Sequence, residues 1–280
     1  MFIKEKNIIW LYSALIVILA FLAGFIHKAE IGESSAPTDS GLGMLIWITS
    51  PLLLGILFTF LSGKKWSDFR ISFKTNGSGL WWSVALLIYP VIFILVYTVG
   101  ITTGDVVYNS DKLPQFFEIM LMSVLFSTIK NIFEEFAWRG YLAPKVYRNK
   151  WNIYIQHIFV GLIWGIWHIP FLSMFWPYVN ENNIVMFVIF FLFGAIAHSV
   201  VYGELRIKTD SVVPAWLMHN IGSVFGTAFL TSGIFSISQG YEMIYSPGTE
   251  SLIGSIVMLI TGRYLINKRI RKEFIDKDLK

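Results

Sequence analysis

The residues best equipped for chemistry are two adjacent carboxylates, Glu134 and Glu135, in the run Lys130-Asn-Ile-Phe-Glu-Glu-Phe-Ala-Trp-Arg-Gly-Tyr141. An ionisable side chain inside an apolar span is costly and marks a site by default. On a helix, Glu135 shares a face with Arg139, and Glu134 shares one with Lys130. The two carboxylates point about 100° apart. One can be neutralised by Arg139 while the other points elsewhere. Two structural readings compete for the same residues: a pair of helical ion pairs, or side chains reaching back to the membrane surface.

Five histidines are the available partners. His27 and His157 stand at the ends of apolar runs and read as interfacial. His168, His198 and His219 lie inside such runs. A lone histidine there is commonly a helix–helix hydrogen-bonding group. Imidazole and carboxylate are also the usual zinc ligands, and catalytic zinc sites use three protein donors plus water. His198 is assigned a packing role, with ligation left open.

These residues need helices to carry them. The chain has 280 residues, 55% hydrophobic and 14% charged, with mean hydropathy +0.62. Soluble proteins carry roughly 25% charged residues. The composition implies a polytopic membrane protein, one bundle over 1–280. The absence of cysteine excludes disulfides, thiol catalysis and thiolate–metal sites. The net charge of +4 suits basic loops better than a nucleic-acid groove.

Spanning helices need about 20 mainly apolar residues. About eight are expected: 8–27, 43–62, 80–101, 116–143, one within 152–176, 183–203, 213–235 and 252–267. The first is of spanning length, too long for a signal-peptide core. Alternate connections are rich in Lys and Arg: Lys4 and Lys6; Lys64, Lys65, Arg70 and Lys74; Lys145, Arg148 and Lys150; Arg206 and Lys208; and the tail from Lys268 to Lys280. The others hold Lys28, Lys112, or neither residue type. By the positive-inside rule both termini are cytoplasmic. Breakers near 35, 78 and 247 separate the runs, and Trp81, Trp82, Trp176 and Tyr178 read as interfacial anchors.

Depth tests whether the polar residues meet. Glu134 lies roughly 16 Å inward of Lys145, and His219 roughly 13 Å inward of Asp210. Counted from Lys150, His168 would be roughly 27 Å deep. The levels agree if 151–157 forms an interfacial elbow, which leaves His168 roughly 15 Å deep.

With these residues assembled, the chain resembles the CAAX prenyl protease and bacteriocin-processing (CPBP, or Abi) family of intramembrane proteases. That family's E-E-x-x-x-R motif matches Glu134, Glu135 and Arg139. Its F-x-x-x-H motif matches Trp164 to His168, with Trp for Phe. Its H-x-x-x-N motif matches His219 to Ser223, with Ser for Asn. The motifs lie within about 130–226, inside an implied catalytic core of about 116–226. The resemblance implies an all-α bundle and an intramembrane endopeptidase. It implies the catalytic set Glu134, Glu135, Arg139, His168, His219 and Ser223. Glu134 is the base and Glu135 the partner of Arg139. Glu134, His168 and His219 would bind Zn2+, or the histidines would stabilise an oxyanion without metal. The implied substrate is a hydrophobic or prenylated peptide or protein in the lipid bilayer, cut at the cytoplasmic side of the cell membrane, with no nucleic acid involved. A cavity lined by helices four to seven and open to the cytoplasm is expected. Gly161, Gly165, Gly194 and Gly203 are candidates for close helix approach around it. The alternatives are a non-catalytic bacteriocin-immunity or scaffold protein of the same fold, which Ser223 favours, and a proton-relay transporter, which the lack of an internal repeat disfavours.

Overall fold

A computed structural model describes residues 5–32, 40–62, 65–73, 79–149, 151–176 and 178–278, without the side chains of 5, 6, 66, 68 and 271–278. Lys4, Lys64, Lys74, Lys150 and Lys280, and most of the breakers near 35 and 78, lie outside the described residues. The fold is all-α. Its helices are α1 (Glu5–Ile31), α2 (Leu42–Leu61), α3 (Gly79–Thr103), α4 (Leu113–Glu135), α5 (Ala143–Tyr147), α6 (Ile153–His168), α7 (Leu172–Phe175), α8 (Ile184–Thr209), α9 (Val213–Thr231), α10 (Glu242–Tyr245) and α11 (Leu252–Asp278). A long helix stands at each of the eight expected positions.

Among the described residues, six helical stretches are long and apolar enough to cross a membrane: 7–31, 42–61, 79–103, 110–147, 153–175 and 184–209. The seventh and eighth expected spans, on α9 and α11, fall short for different reasons. The α9 helix carries His219, Asn220, Ser223, Thr227 and Thr231. The α11 helix turns basic in its second half, from Lys268 onward. Outward-facing Leu57, Ile94, Leu121, Met122, Leu125 and Val185 are exposed. Such a surface belongs in lipid, where helices satisfy their own backbone groups. The protein is a multi-pass membrane protein.

The principal helix pairs are α1 with α2, α4 with α9, α6 with α8, and α8 with α11. Close approach is built into the sequence. A Cβ added at Gly161 would lie 2.6 Å from Ile196 Cα, so α6 meets the backbone of α8 directly. A Cβ at Gly194 would run into the Thr249 carbonyl, which seats the loop before α11 against α8. Trp47 of α2 stacks on Trp167 of α6 at 4.2 Å and donates Nε1–H to its carbonyl at 2.9 Å.

The two ends of the bundle are tied differently. At one end, the Val212 N–H donates to the Arg70 carbonyl (3.1 Å), and Gln156 donates to the Asn149 and Trp151 carbonyls (2.9 and 3.0 Å). At the other end, a two-stranded ribbon pairs β1 (Val106–Tyr108) with β2 (Phe235–Ile237), antiparallel and in the register Val106↔Ile237. The Tyr178 hydroxyl reaches Ser246 (3.1 Å) at that same end.

Three local expectations are corrected. The elbow over 151–157 does not form. The α6 helix starts at Ile153, capped by Asn152 Oδ1 accepting from the Tyr154 N–H, and runs unbroken to His168. Residues counted along a helix measure length rather than depth, so the apparent mismatch at His168 needs no elbow. His157, expected at the interface, is fully buried because its ring bonds Glu204. His27, also expected there, is 6% exposed and packs on Phe171.

Candidate active site

The α4 helix does not end at the carboxylates. It continues through a π-helical segment, Phe136–Leu142, into α5. Pro144 lacks an N–H and would crowd the Gly140 carbonyl in an α-helix, and a widened turn relieves this. The Arg206 Nε–H takes up the Arg139 carbonyl in the same stretch (3.0 Å). Such π segments recur at functional sites. This one carries Arg139 directly beside Glu135.

Both carboxylates are fully buried, so neither reaches back to the membrane surface. Both helical ion pairs form, Lys130 with Glu134 and Arg139 with Glu135 (2.8 Å). Each carboxylate also meets a histidine from another helix. Glu135 Oε1 accepts from His219 Nδ1 of α9 at 2.8 Å. Glu134 Oε2 accepts Trp164 Nε1–H of α6 at 2.9 Å and faces His168 Nε2 at 3.9 Å. Trp164, standing where the family motif has Phe, therefore contributes a donor that Phe lacks. The Arg139 guanidinium lies over the rings of Trp164 (4.9 Å) and Tyr202 (4.3 Å).

The hydrogen bonds orient both imidazoles. His168 Nδ1 lies 2.8 Å from the Trp164 carbonyl, which can only accept, so the proton is on Nδ1. The neutral ring then turns an Nε2 lone pair toward Glu134. Two acceptors facing each other across 3.9 Å call for a donor or a cation between them. His219 likewise donates from Nδ1 to Glu135, which leaves its Nε2 for the cavity it lines.

That cavity is about 180 Å³, well above what one water requires. His168, His219, Lys130 and Ser223 are among its polar lining. Trp47, Phe126, Phe175, Trp176, Phe191 and Leu230 supply apolar walls. Glu134, Glu135, Arg139, His168, His219 and Ser223 thus come together from three helices. His198 stands apart, bonding the Gly194 carbonyl of its own helix (2.8 Å) and packing near Tyr89.

Asn131 was missed by pattern. It is fully buried on α4, one turn before Glu135, and donates from Nδ2 to Ser223 Oγ at 3.1 Å. Ser223 accepts that bond and keeps its own hydrogen for the cavity. A carboxamide therefore reaches the third-motif position from a different helix. The available clue was an asparagine on the carboxylate helix, three and four residues ahead of the pair. Asn220 instead bonds Thr128 Oγ1 (2.9 Å) and points at α4.

For zinc, the donor types and the pinned Nδ1 atoms fit, since a ligating imidazole usually has its other nitrogen fixed. The spacing does not: among the described residues no three His, Asp or Glu side chains form a group that could hold a metal ion.

A second buried polar cluster lies toward the Lys/Arg-rich end. Glu204 accepts from His157 Nε2 (3.0 Å) and from Arg269 twice (2.9 Å each), while the Tyr147 hydroxyl meets His157 Nδ1 (3.3 Å).

Residues 116–225 match a family model described as type II CAAX prenyl endopeptidase, Rce1-like. Over 261 residues, 84% of this chain and 88% of its counterpart, the sequence is 21% identical to CAAX prenyl protease 2 of Methanococcus maripaludis.

Proposed function

We propose, on the premise that this chain belongs to the Rce1-like CAAX prenyl protease family, that it is an intramembrane endopeptidase using Glu134 to activate water. The observation that carries this is the Glu134–His168 gap of 3.9 Å, between two acceptor atoms beside the cavity. A water there donates one hydrogen to each. As its oxygen attacks the peptide carbonyl carbon, its proton passes to Glu134. The oxyanion is assigned to the Ser223 hydroxyl, held by Asn131, and to His219 where its Nε2 is protonated. Glu135, shared by Arg139 and His219, fixes that ring and its charge. Collapse breaks the C–N bond, and Glu134 returns its proton to the leaving amine. Lys130 and Trp164 fix the carboxylate throughout.

The substrate class is a hydrophobic or lipid-modified peptide or membrane-bound protein, consistent with the apolar walls. His168, His219 and Glu134 are the residues that would hold zinc. When bound, that ion would polarise the carbonyl and acidify the water. Because the spacing does not close, the steps above rest on the chain's own side chains. A non-catalytic immunity or scaffold role drew its support from Ser223, and the Asn131 carboxamide at that position weakens it.

The test is hydrolysis of a quenched hydrophobic peptide by purified protein in liposomes. Glu134→Gln should cut turnover about 10²–10⁴-fold with the fold intact, the range for a positioned base. Full turnover in that variant would sink the proposal.

A further inference from the structure

We propose that the Tyr89 hydroxyl is a hydrogen-bond donor for the bound peptide, holding a backbone carbonyl next to the scissile one. This rests on the protease reading for what occupies the cavity, and on independent observations for the donor.

The first observation is a hydrogen that lacks a partner. The Tyr89 hydroxyl of α3 and the Tyr202 hydroxyl of α8 lie 3.0 Å apart. A phenol carries one hydrogen and can both donate and accept. One of the two hydrogens therefore makes the bond between them. The other has no acceptor among the described residues. His198 packs beside the Tyr89 ring, 5.9 Å between centroids, but its own bond is to the Gly194 carbonyl. Tyr202 is fully buried, and an unmet donor there is costly. Tyr89 is 7% exposed and borders the cavity. Donation from Tyr202 to Tyr89 avoids the cost. It turns the Tyr89 hydrogen toward the cavity, where a bound acceptor can meet it.

The second observation is where that hydroxyl stands. The para end of the Tyr89 ring lies against Gly222, and a Cβ there would come within 2.5 Å of Tyr89 Cζ. Only glycine at 222 lets the phenol reach the α9 face that carries the site. That face presents His219, Gly222, Ser223 and Gly226 to the cavity. A carbonyl oxygen has two lone pairs. In the proposed reaction Ser223 and His219 fill both on the scissile carbonyl. A third donor, from α3, is left for a neighbouring carbonyl, and an extended peptide supplies one roughly every 3.3 Å. The motif residues all lie on other helices, so Tyr89 would bring α3 into substrate binding.

The probe is a dansylated leucine-rich octapeptide. Binding is read by energy transfer from tryptophan in Glu134→Gln protein, and hydrolysis in protein with Glu134 intact. Tyr89→Phe should weaken binding and raise KM about fivefold with kcat unchanged, as for a contact equal in ground and transition states. Tyr202→Phe keeps the Tyr89 donor and should change both by less than about twofold. An (E)-alkene replacing either peptide bond beside the scissile one removes a carbonyl. At one of those positions the replacement should cost less in Tyr89→Phe than in protein with Tyr89. Equal effects of the two phenylalanine variants would make the pair structural, and a fall in kcat would put Tyr89 on the oxyanion. Either overturns the proposal, as does unchanged affinity in Tyr89→Phe or the absence of saturable binding. Tyr89-dependent binding without hydrolysis by any preparation would sink the protease reading and leave the donor standing.

Discussion

The bundle buries two carboxylate–histidine–cation clusters, and they are built to opposite ends. Around Glu204 the acceptors are used up: His157 takes one oxygen, and Arg269 takes both. Around Glu134 and Glu135 they are not. Among the described residues, Glu135 Oε2 has no hydrogen-bond partner, nor do Arg139 Nε and Nη2. Glu134 faces an unprotonated nitrogen across a gap, and a cavity adjoins. Buried charge alone therefore does not distinguish chemistry from architecture. A saturated cluster clamps α11 to α6 and α8, whereas an unsaturated one beside a cavity has room for a substrate and water.

The strongest way to break this comparison is to remove one carboxylate from each. Glu134→Gln should cut hydrolysis about 10²–10⁴-fold, with a smaller fall in melting temperature than Glu204→Gln because it unpairs one lysine and keeps the Trp164 bond. Glu204→Gln should act mainly on stability. It leaves Arg269 and His157 facing a neutral amide, and breaking a buried pair costs about 3–5 kcal/mol. The molecules that remain folded should keep their turnover number. If Glu204→Gln abolished turnover in folded protein, the division between the clusters would fail.

Next in size is His219 against His157. His219→Ala should lower turnover at least a hundredfold, and His157→Ala should act mainly on melting temperature. Metal analysis of purified protein sharpens the same contrast. Stoichiometric zinc, lost in both His168→Ala and His219→Ala, would add an ion to the first cluster. Activity in metal-free protein would leave the roles as assigned above.

Asn131→Ala should cost about tenfold in kcat with little change in KM, because it frees the Ser223 hydroxyl without touching the cavity walls. Ser223→Ala, which removes the donor itself, should cost about 10²-fold, and the double variant should be no worse than Ser223→Ala alone. Additive losses would show that Asn131 does not act through Ser223.

The smallest effect concerns Glu250 outside the spans. Burial pushes its carboxyl above the usual range, although Ser246 and Tyr178 donate to it. The fold therefore favours the protonated form. This contributes stability below the ordinary carboxylate pKa, and the contribution is lost as pH rises through the higher folded value. Glu250→Gln should raise the melting temperature at neutral pH and change it little in acid. A larger gain in acid would contradict the assignment.

Much of this was legible in the sequence for a physical reason: hydrocarbon tolerates few structures. Apolar length marked the helices, and the i,i+4 rule gave both ion pairs. The costliness of intramembrane charge singled out Glu134, Glu135 and Arg139. What was hidden depended on which helices touch. His157 looked interfacial because its partner Glu204 lies far along the chain. Asn131 looked like an ordinary helix residue because Ser223 is on α9. The walls of the cavity were not readable at all, since no periodicity records where side chains fail to fill space.

The π-helical turn at Phe136–Leu142 acts as a phase adjuster in a long rod. It winds a surplus residue into a run that begins at Leu113 and ends at Tyr147. Trimming one residue, for example Ala137, would let the rod close to ordinary winding and keep its two flanks near their present phase, because a π turn holds about one residue more than an α turn. Lys145 would stay over the Tyr141 ring it now covers at 3.4 Å, since both lie beyond the cut. Arg139 would stand three residues from Glu135 instead of four, so the change would fall on that buried pair while the rest of the rod stayed in step.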